Sequence, residues 1–265
     1  MSIRSALILL FSCALWAAPA AKPVPAPPLL PGEALSLAGP DGVVFSFGEA
    51  TRLWPMGSLA KLVWIKLEGI QWGAMNVQYE CTGVDKATGA RCWLPKGHGK
   101  VDLAKALQES CNLAFLTWGR ASVQWWMQDY GEGAARARLE DAFGPFLGDR
   151  MPPGEGVPEI TPAWVGDGDL LWTSPEAMLR WLIEPEQDQT IRTVRRLLLG
   201  EKYSSKPNAW WIKTGTAPVP SDPGSTSAWA AGSNGQIVAV LHLPRGKSKA
   251  DGLARFRAIF AVPPG

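Results

Sequence analysis

The sequence predicts an α+β fold in which an antiparallel sheet is formed by both ends of the chain and joined to a helical lobe. Three observations lead there: a hairpin pattern near the N-terminus, helical patterns through the middle, and three strand patterns followed by a helix at the C-terminus. The chain of 265 residues is long enough to bury a sizeable core, and no internal repeat divides it. With 46% hydrophobic and 19% charged residues it has a globular composition, not that of a disordered, collagenous or coiled-coil chain. A net charge of +2 gives no electrostatic footprint for nucleic acid, so no nucleic-acid partner is expected.

In chain order, residues 1–20 read as a secretory signal. Arg4 precedes the apolar residues 6–18, and Ala18-Pro19-Ala20 offers small residues for cleavage before Ala21. The apolar run is shorter than the ~20 residues needed to span a bilayer, so a secreted or periplasmic protein is expected. Residues 21–32, which include AKPVPAPPLLP, read as an extended proline-rich linker. Residues 33–265 form the domain itself.

Residues 33–47 alternate around Gly39-Pro40-Asp41-Gly42, the pattern of a hairpin and its turn. Residues 58–67 (SLAKLVWIKL) predict a helix with Ser58 at its start. Residues 76–99 are turn-rich. Short helices follow over 101–109 and 113–118, and a further helix over 134–143 is stopped by Gly144-Pro145. Residues 174–183 and 190–199 form a helical pair flanking Pro185. Strands are predicted over 209–213, 226–232 and 236–243, and an amphipathic helix over 252–260 closes the chain. Most of the 14 tryptophans sit in apolar runs such as Trp125-Trp126 and Trp210-Trp211, which argues for core packing rather than glycan binding. His242, within an apolar strand, is expected to be structural, and Glu184, Glu186 and Asp188 to form a solvated loop.

Three short motifs carry chemistry. Ser58-Leu59-Ala60-Lys61 sets a hydroxyl and an amine on one helical face, and a serine needs such a base within hydrogen-bond reach to act as a nucleophile. Burial can hold the ammonium pKa down far enough for the amine to serve. Ser110-Cys111-Asn112, between two helices, offers a second hydroxyl for proton relay and an amide for substrate, although Ser and Asn are also ordinary helix caps. Lys213-Thr214-Gly215-Thr216 follows a strand pattern, where a cation beside small residues suits an extended, carboxylate-bearing peptide. Gly215 would let the substrate backbone approach closely. The plainer alternative is an edge strand on which Lys213 guards against aggregation.

S-x-x-K, S-x-N and K-T-G in this order resemble the transpeptidase domain of penicillin-binding proteins. Pro55-Met56-Gly57 before Ser58 strengthens the resemblance. The run from Gly97-His98-Gly99 to Ser110-Cys111-Asn112, and Gly166-Asp167-Gly168 followed by Thr173-Ser174-Pro175, are similar to class B enzymes of the elongation and sporulation type. The resemblance implies a β-lactamase/transpeptidase-like fold and an exported D,D-transpeptidase or carboxypeptidase acting on the D-Ala-D-Ala end of a peptidoglycan stem peptide, which β-lactam antibiotics would also acylate. It further implies that Ser58 forms the acyl-enzyme, with Lys61 as its base and Ser110 and Asn112 completing the relay. Lys213, Thr214, Gly215 and Thr216 would bind substrate, with the Ser58 and Thr216 N–H groups as oxyanion hole. Rival readings are a class D-like β-lactamase using a modified lysine, and a non-catalytic penicillin-binding sensor or binding module. No E-x-x-x-N loop suited to rapid deacylation stands between Ser110 and Lys213.

Catalysis of this kind needs no cofactor. Cys81, Cys92, His98 and Cys111 nevertheless form a C-x10-C-x5-H-x12-C series whose ligand types suit a structural, tetrahedral zinc. An exported chain equally allows a Cys81–Cys92 disulfide with Cys111 buried and free. Some elongation-type penicillin-binding proteins carry zinc near this place, with ligands matching His98 and Cys111.

Overall fold

The computed structural model describes residues 27–262 other than 152, 185–186 and 201–203. The signal at 1–20, linker residues 21–26, Pro185 and Glu186 therefore lie outside the described residues.

Gly42, at φ +72°, donates its N–H to the Gly39 carbonyl at 3.1 Å and reverses the chain. Strands β1 (Ala34–Ala38) and β2 (Val44–Phe47) thus pair antiparallel, with Leu35 opposite Phe47. The C-terminal strands β7 (Trp211–Pro218), β8 (Thr226–Ser233) and β9 (Val238–Leu243) complete one sheet in the order β2-β1-β9-β8-β7. The two ends of the domain meet where β1 pairs with β9, Ser36 opposite Val240. Side-chain alternation gives this sheet two apolar faces. Leu35, Leu37, Ala230 and Leu241 pack with Phe256 of the last helix, while Trp211, Trp229 and Val240 join the core of the helical lobe.

Between the sheet halves, β3 (Trp54–Pro55) pairs with β6 (Trp172–Thr173), and β4 (Gln78–Cys81) with β5 (Gly99–Asp102). The helices are α1 (Ala60–Ala74), α2 (Leu103–Gln108), α3 (Asn112–Tyr130), α4 (Glu132–Leu147), α5 (Pro175–Ile183), α6 (Asp188–Leu199) and α7 (Ala254–Phe260). Helix α1 buries residues around nearly its whole circumference, from Lys61 and Val63 to Trp64 and Glu68, and so forms the axis of the lobe. Among the described residues no helix is long and apolar enough to cross a membrane.

The predicted elements are present, with differences: α1 runs on to Ala74, the turn-rich stretch holds β4, and Asp188 opens α6 and is not in a loop. Residues 101 and 102 belong to a strand, and Asp102 caps α2 by accepting from the Lys105 N–H at 2.8 Å. Helix α3 runs 19 residues, far beyond the expected 113–118, because Gly119 is a packing notch and not a stop: a Cβ there would stand 2.9 Å from Trp64. Helix α4 continues through Pro145. The proline forfeits one backbone hydrogen bond, but Phe143, Phe146 and Leu147 are buried and hold the last turn in place. Strand β7 extends to Pro218, so that the whole Lys213–Thr216 motif lies within it.

Candidate active site

The nucleophile candidate sits on a tight 3-10 turn, Gly57–Leu59, that feeds directly into α1. Gly57 takes φ +54°, and its neighbours allow no side chain. A Cβ on Gly57 would run into the Thr216 carbonyl, and one on Gly166 would overlap the Gly57 carbonyl and stand 2.8 Å from the Ser58 nitrogen. One turn later Lys61 is fully buried. Its Nζ donates to Ser58 Oγ at 3.2 Å, Asn112 Oδ1 at 2.8 Å and the Val165 carbonyl at 2.7 Å. All three ammonium donors thus have partners from three separate elements. Burial drags the Lys61 pKa down from 10.5 to about 8, against the opposing pull of nearby acidic groups that include Cys92 and Asp167.

Ser110 and Asn112 flank the start of α3. Ser110 takes the left-handed φ of +54°, which turns its hydroxyl toward the sheet, where it is hydrogen-bonded to Lys213 Nζ. Lys213 is only 2% exposed and also donates to the Thr214 carbonyl at 2.7 Å. Strand β7 is an edge strand as the plainer alternative supposed, but its lysine points inward and guards nothing from solvent. The three sequence motifs therefore converge on one cleft of about 750 Å³, lined among others by Ser58, Ser110, Asn112, Thr214 and Thr216. Gly215 also lies close to the protein's own backbone. A Cβ there would meet Met56 O at 3.2 Å and the Ser58 and Leu59 nitrogens at 3.3 Å, so the backbone it lets approach is that of the nucleophile turn.

Behind the Ser110–Asn112 turn lie Cys81, Cys92, His98 and Cys111. One ligand atom from each falls within 4.8 Å of every other. Cys81 Sγ and Cys92 Sγ stand 3.6 and 3.5 Å from His98 Nδ1, and Cys92 Sγ stands 4.0 Å from Cys111 Sγ. Ligands ~2.0–2.3 Å from a tetrahedral zinc are spaced in this range, so the donor set fits that metal. All three cysteines are free thiols, and the alternative Cys81–Cys92 disulfide is not formed. The hydrogen bond shared with Cys111 holds the Cys92 thiol down to about 4, and the same contact together with burial pushes Cys111 up. The loop is built to close on this point: Gly83 and Gly97, both at positive φ, leave no space for a side chain against Pro95 O and Cys81 O. The other ring nitrogen, His98 Nε2, faces Glu109 Oε2 at 4.0 Å.

Four cleft or core groups were not singled out from sequence. The Val165 carbonyl is a backbone atom and leaves no residue-type signal beyond the Gly166 that follows it. Trp93, Glu109 and Lys247 line the cleft. Trp93 is 52% exposed and contradicts the general expectation that tryptophans here are core residues, whereas Trp126 and Trp211 obey it. His242 is structural as expected. It is buried between the rings of Trp229 and Trp54, at 4.4 and 4.7 Å, and burial lowers its pKa to about 3.

No family model matches this chain, and no curated protein matches it in sequence. Its structure is similar to Pseudomonas aeruginosa PBP2 in complex with WCK 5153, at 15% identity and a TM-score of 0.56 over 84% of this chain and 71% of that one. It is similar to the OXA-427 class D β-lactamase at 19% identity and a TM-score of 0.56, over 87% of this chain and 96% of that one. FUS-1 (OXA-85), a class D β-lactamase from Fusobacterium nucleatum subsp. polymorphum, shows 15% identity and a TM-score of 0.54 over 86% and 89%. The fold is thus the β-lactamase/transpeptidase-like one.

Proposed function

We propose that this chain, whose fold is that of the serine β-lactamase/transpeptidase superfamily, is an exported serine enzyme that binds penicillins. Its reaction would be D,D-transpeptidation or carboxypeptidation at the D-Ala-D-Ala end of peptidoglycan stem peptides. One observation carries this reading: the Lys61 ammonium bridges Ser58 Oγ and Asn112 Oδ1 while Lys213 bonds Ser110 across the same cleft.

The chemistry follows from those contacts. With a pKa near 8, roughly a tenth of Lys61 is the free amine at pH 7. That amine takes the proton from Ser58 Oγ as the oxygen attacks the scissile carbonyl. The developing oxyanion is met by the N–H groups of Ser58 and Thr216, worth several kcal/mol in such sites. Ser110, held in line by Lys213, passes its proton to the leaving D-alanine amine and regains one from the Lys61 ammonium, which restores Lys61 as a free amine. Lys213, Thr214 and Thr216 take the substrate carboxylate, and Gly215 keeps β7 against the nucleophile turn. Water or an acceptor amine then attacks the ester, Lys61 takes up the incoming proton, and it returns that proton to Ser58 Oγ as the ester bond breaks.

No cofactor enters these steps. A structural zinc on Cys81, Cys92, His98 and Cys111 would supply a fixed anchor for the loop and for the turn containing Cys111. The β-lactamase alternative needs a modified lysine, and three oxygens already crowd Lys61 Nζ, which favours an unmodified amine.

The test is labelling with fluorescent penicillin, read by intact mass, beside D-alanine release from a D-Ala-D-Ala peptide. Wild type is expected to gain one adduct and release D-alanine, and Ser58→Ala to do neither. Rapid multiple turnover of nitrocefin would instead mark a β-lactamase, and an adduct without D-alanine release a sensor or binding module.

A further inference from the structure

Ser110, Cys111 and Asn112 divide between two sides of the fold. Ser110 and Asn112 line the cleft, whereas Cys111 is wholly buried behind the turn among Cys81, Cys92 and His98. The catalytic steps proposed above use Ser110 and Asn112 and give Cys111 no chemical part. Free thiols packed this closely are a reactive group of their own, above all in an oxidising compartment.

The three thiols are not equivalent. Cys92 is 6% exposed, Cys81 1% and Cys111 0%, so an oxidant arriving from solvent meets Cys92 first. Cys81 lies in β4, where its backbone is fixed by pairing with Gly99 of β5. Cys92 and Cys111 lie outside the strands and helices, and their sulfurs stand 4.0 Å apart. A disulfide is ~2.05 Å long, so the pair closes with an approach of about 2 Å.

We propose that Cys92 and Cys111 form an oxidation site, closed by a peroxide into a disulfide that draws the Ser110–Asn112 turn out of register with Lys61 and Lys213. Cys92 Sγ attacks one peroxide oxygen, the O–O bond breaks, and a sulfenic acid and water result. Cys111 Sγ then attacks the Cys92 sulfur. The S–S bond forms, the S–O bond breaks, and the departing hydroxide leaves as a second water with the Cys111 proton. Two thiols lose two electrons and two protons in all, and one hydrogen peroxide becomes two waters.

Little lies between the new bond and the catalytic groups. Cys111 is joined directly to Ser110, which is hydrogen-bonded to Lys213, and to Asn112, whose Oδ1 accepts from Lys61 Nζ at 2.8 Å. The loop on the other side has little room to yield. Cys92 N–H is bonded to the Gly83 carbonyl at 2.8 Å, and Gly83 and Gly97 pack main chain on main chain with no space for a Cβ. The approach therefore falls on the turn, and a catalytic group misplaced by ~1 Å can lose up to about 10²-fold in rate. Oxidation would also take two of the four ligands from any zinc held there. The oxidation site stands on the thiols alone, and its effect on catalysis rests on the function proposed above.

The test treats the full chain with hydrogen peroxide and reads it without reductant, by intact mass, linked-peptide mapping and the rate of fluorescent-penicillin labelling. The expected result is loss of the mass of two hydrogens, a Cys92–Cys111 linked peptide, and labelling slowed about tenfold or more. Hydrogen exchange should quicken at residues 110–112, and dithiothreitol should reverse every change. Cys81→Ser is expected to keep the link, and Cys92→Ser and Cys111→Ser to prevent it, each labelling rate being taken relative to the same preparation before peroxide. Should a serine variant fail to fold, the wild-type peptide map decides the pair by itself. A link that includes Cys81, or sulfinic acid without any link, overturns the site. A Cys92–Cys111 link that leaves both labelling and exchange unchanged overturns its hold on the turn. Untreated protein that takes up no penicillin, yet forms the link and shows the faster exchange, overturns the enzyme reading and leaves the oxidation site standing.

Discussion

Strand β7 enters the cleft with eight residues paired to β8, from Trp211 opposite Ser233 to Pro218 opposite Thr226, whereas the facing turn at residues 110–112 has no ladder of its own. That turn is held by two backbone bonds, Ser110 N–H to Leu107 O and Cys111 N–H to Ala106 O, and by side chains. Ser110 is tied to Lys213, Asn112 to Lys61, and Cys111 to the cluster of sulfurs and His98 behind it. Backbone pairing holds β7 by many rungs, each supported by its neighbours. The turn has fewer such supports, and it is also the wall where a proton must move. One wall is therefore suited to holding a substrate in register and the other to chemistry that can be lost by a single perturbation.

The sharpest way to break this contrast is to exchange Lys61, which ties the turn through Asn112, and one group on β7. Lys61→Met is expected to slow penicillin acylation by about 10²–10⁴-fold in stopped-flow or gel-labelling rates. Thr214→Val on β7 is expected to act mainly through KM, by about tenfold, because it removes a hydrogen bond to substrate carboxylate and leaves the base intact. Equal loss of kcat from both would end the distinction.

Removing metal addresses the same contrast through stability. If zinc holds the cysteine cluster, elemental assay gives one zinc per chain, and a strong chelator lowers Tm by about 5–10 °C while slowing acylation. Hydrogen exchange should then open residues 82–98 and the 110–112 turn before any amide of β7–β9.

A smaller effect comes with pH. Lys61 serves as base only when deprotonated, and its pKa is about 8, so acylation should rise about tenfold from pH 7 to pH 9 before levelling. A flat profile across that range would remove Lys61 from the role. The smallest change is expected far from the cleft, at His242→Leu. His242 is held neutral, with its pKa lowered to about 3 from 6.5, so its unfolded form binds protons that the folded form refuses. Its contribution is fully present above pH 6.5 and is lost as pH falls toward 3. Thermal melts of the leucine variant should lose that part of the acid limb and stay within about 1 kcal/mol of wild type at neutral pH.

Much of this was legible from residues alone, for reasons that differ between elements. The β1–β2 hairpin is written in Gly39-Pro40-Asp41-Gly42, because turn chemistry is local. The Ser58, Ser110 and Lys213 motifs could be ordered along the chain, and the cysteine and histidine spacing already raised a metal. What escaped were features decided by distant neighbours. Gly119 lies within a helix only because Trp64 fills the space above it, and Pro145 is tolerated only because Phe146 and Leu147 are buried behind it. The third partner of Lys61 is a carbonyl, which any residue at position 165 would supply. The contact of Gly215 with the Ser58 turn spans more than 150 residues of chain, beyond the reach of any local pattern.

Gly57, Gly166 and Gly215 have a consequence for how this chain can change over time. At Gly57 and Gly166 even one added carbon collides with main chain, that of Thr216 and of Gly57, whereas at Gly215 it would press on Met56 O at 3.2 Å. Saturation mutagenesis should return empty columns at the first two sites, and few tolerated residues at Gly215, whatever antibiotic or peptide is used for selection. New substrate preferences must then be acquired at the periphery, from positions such as 93 and 247, while the pivot beneath them stays frozen.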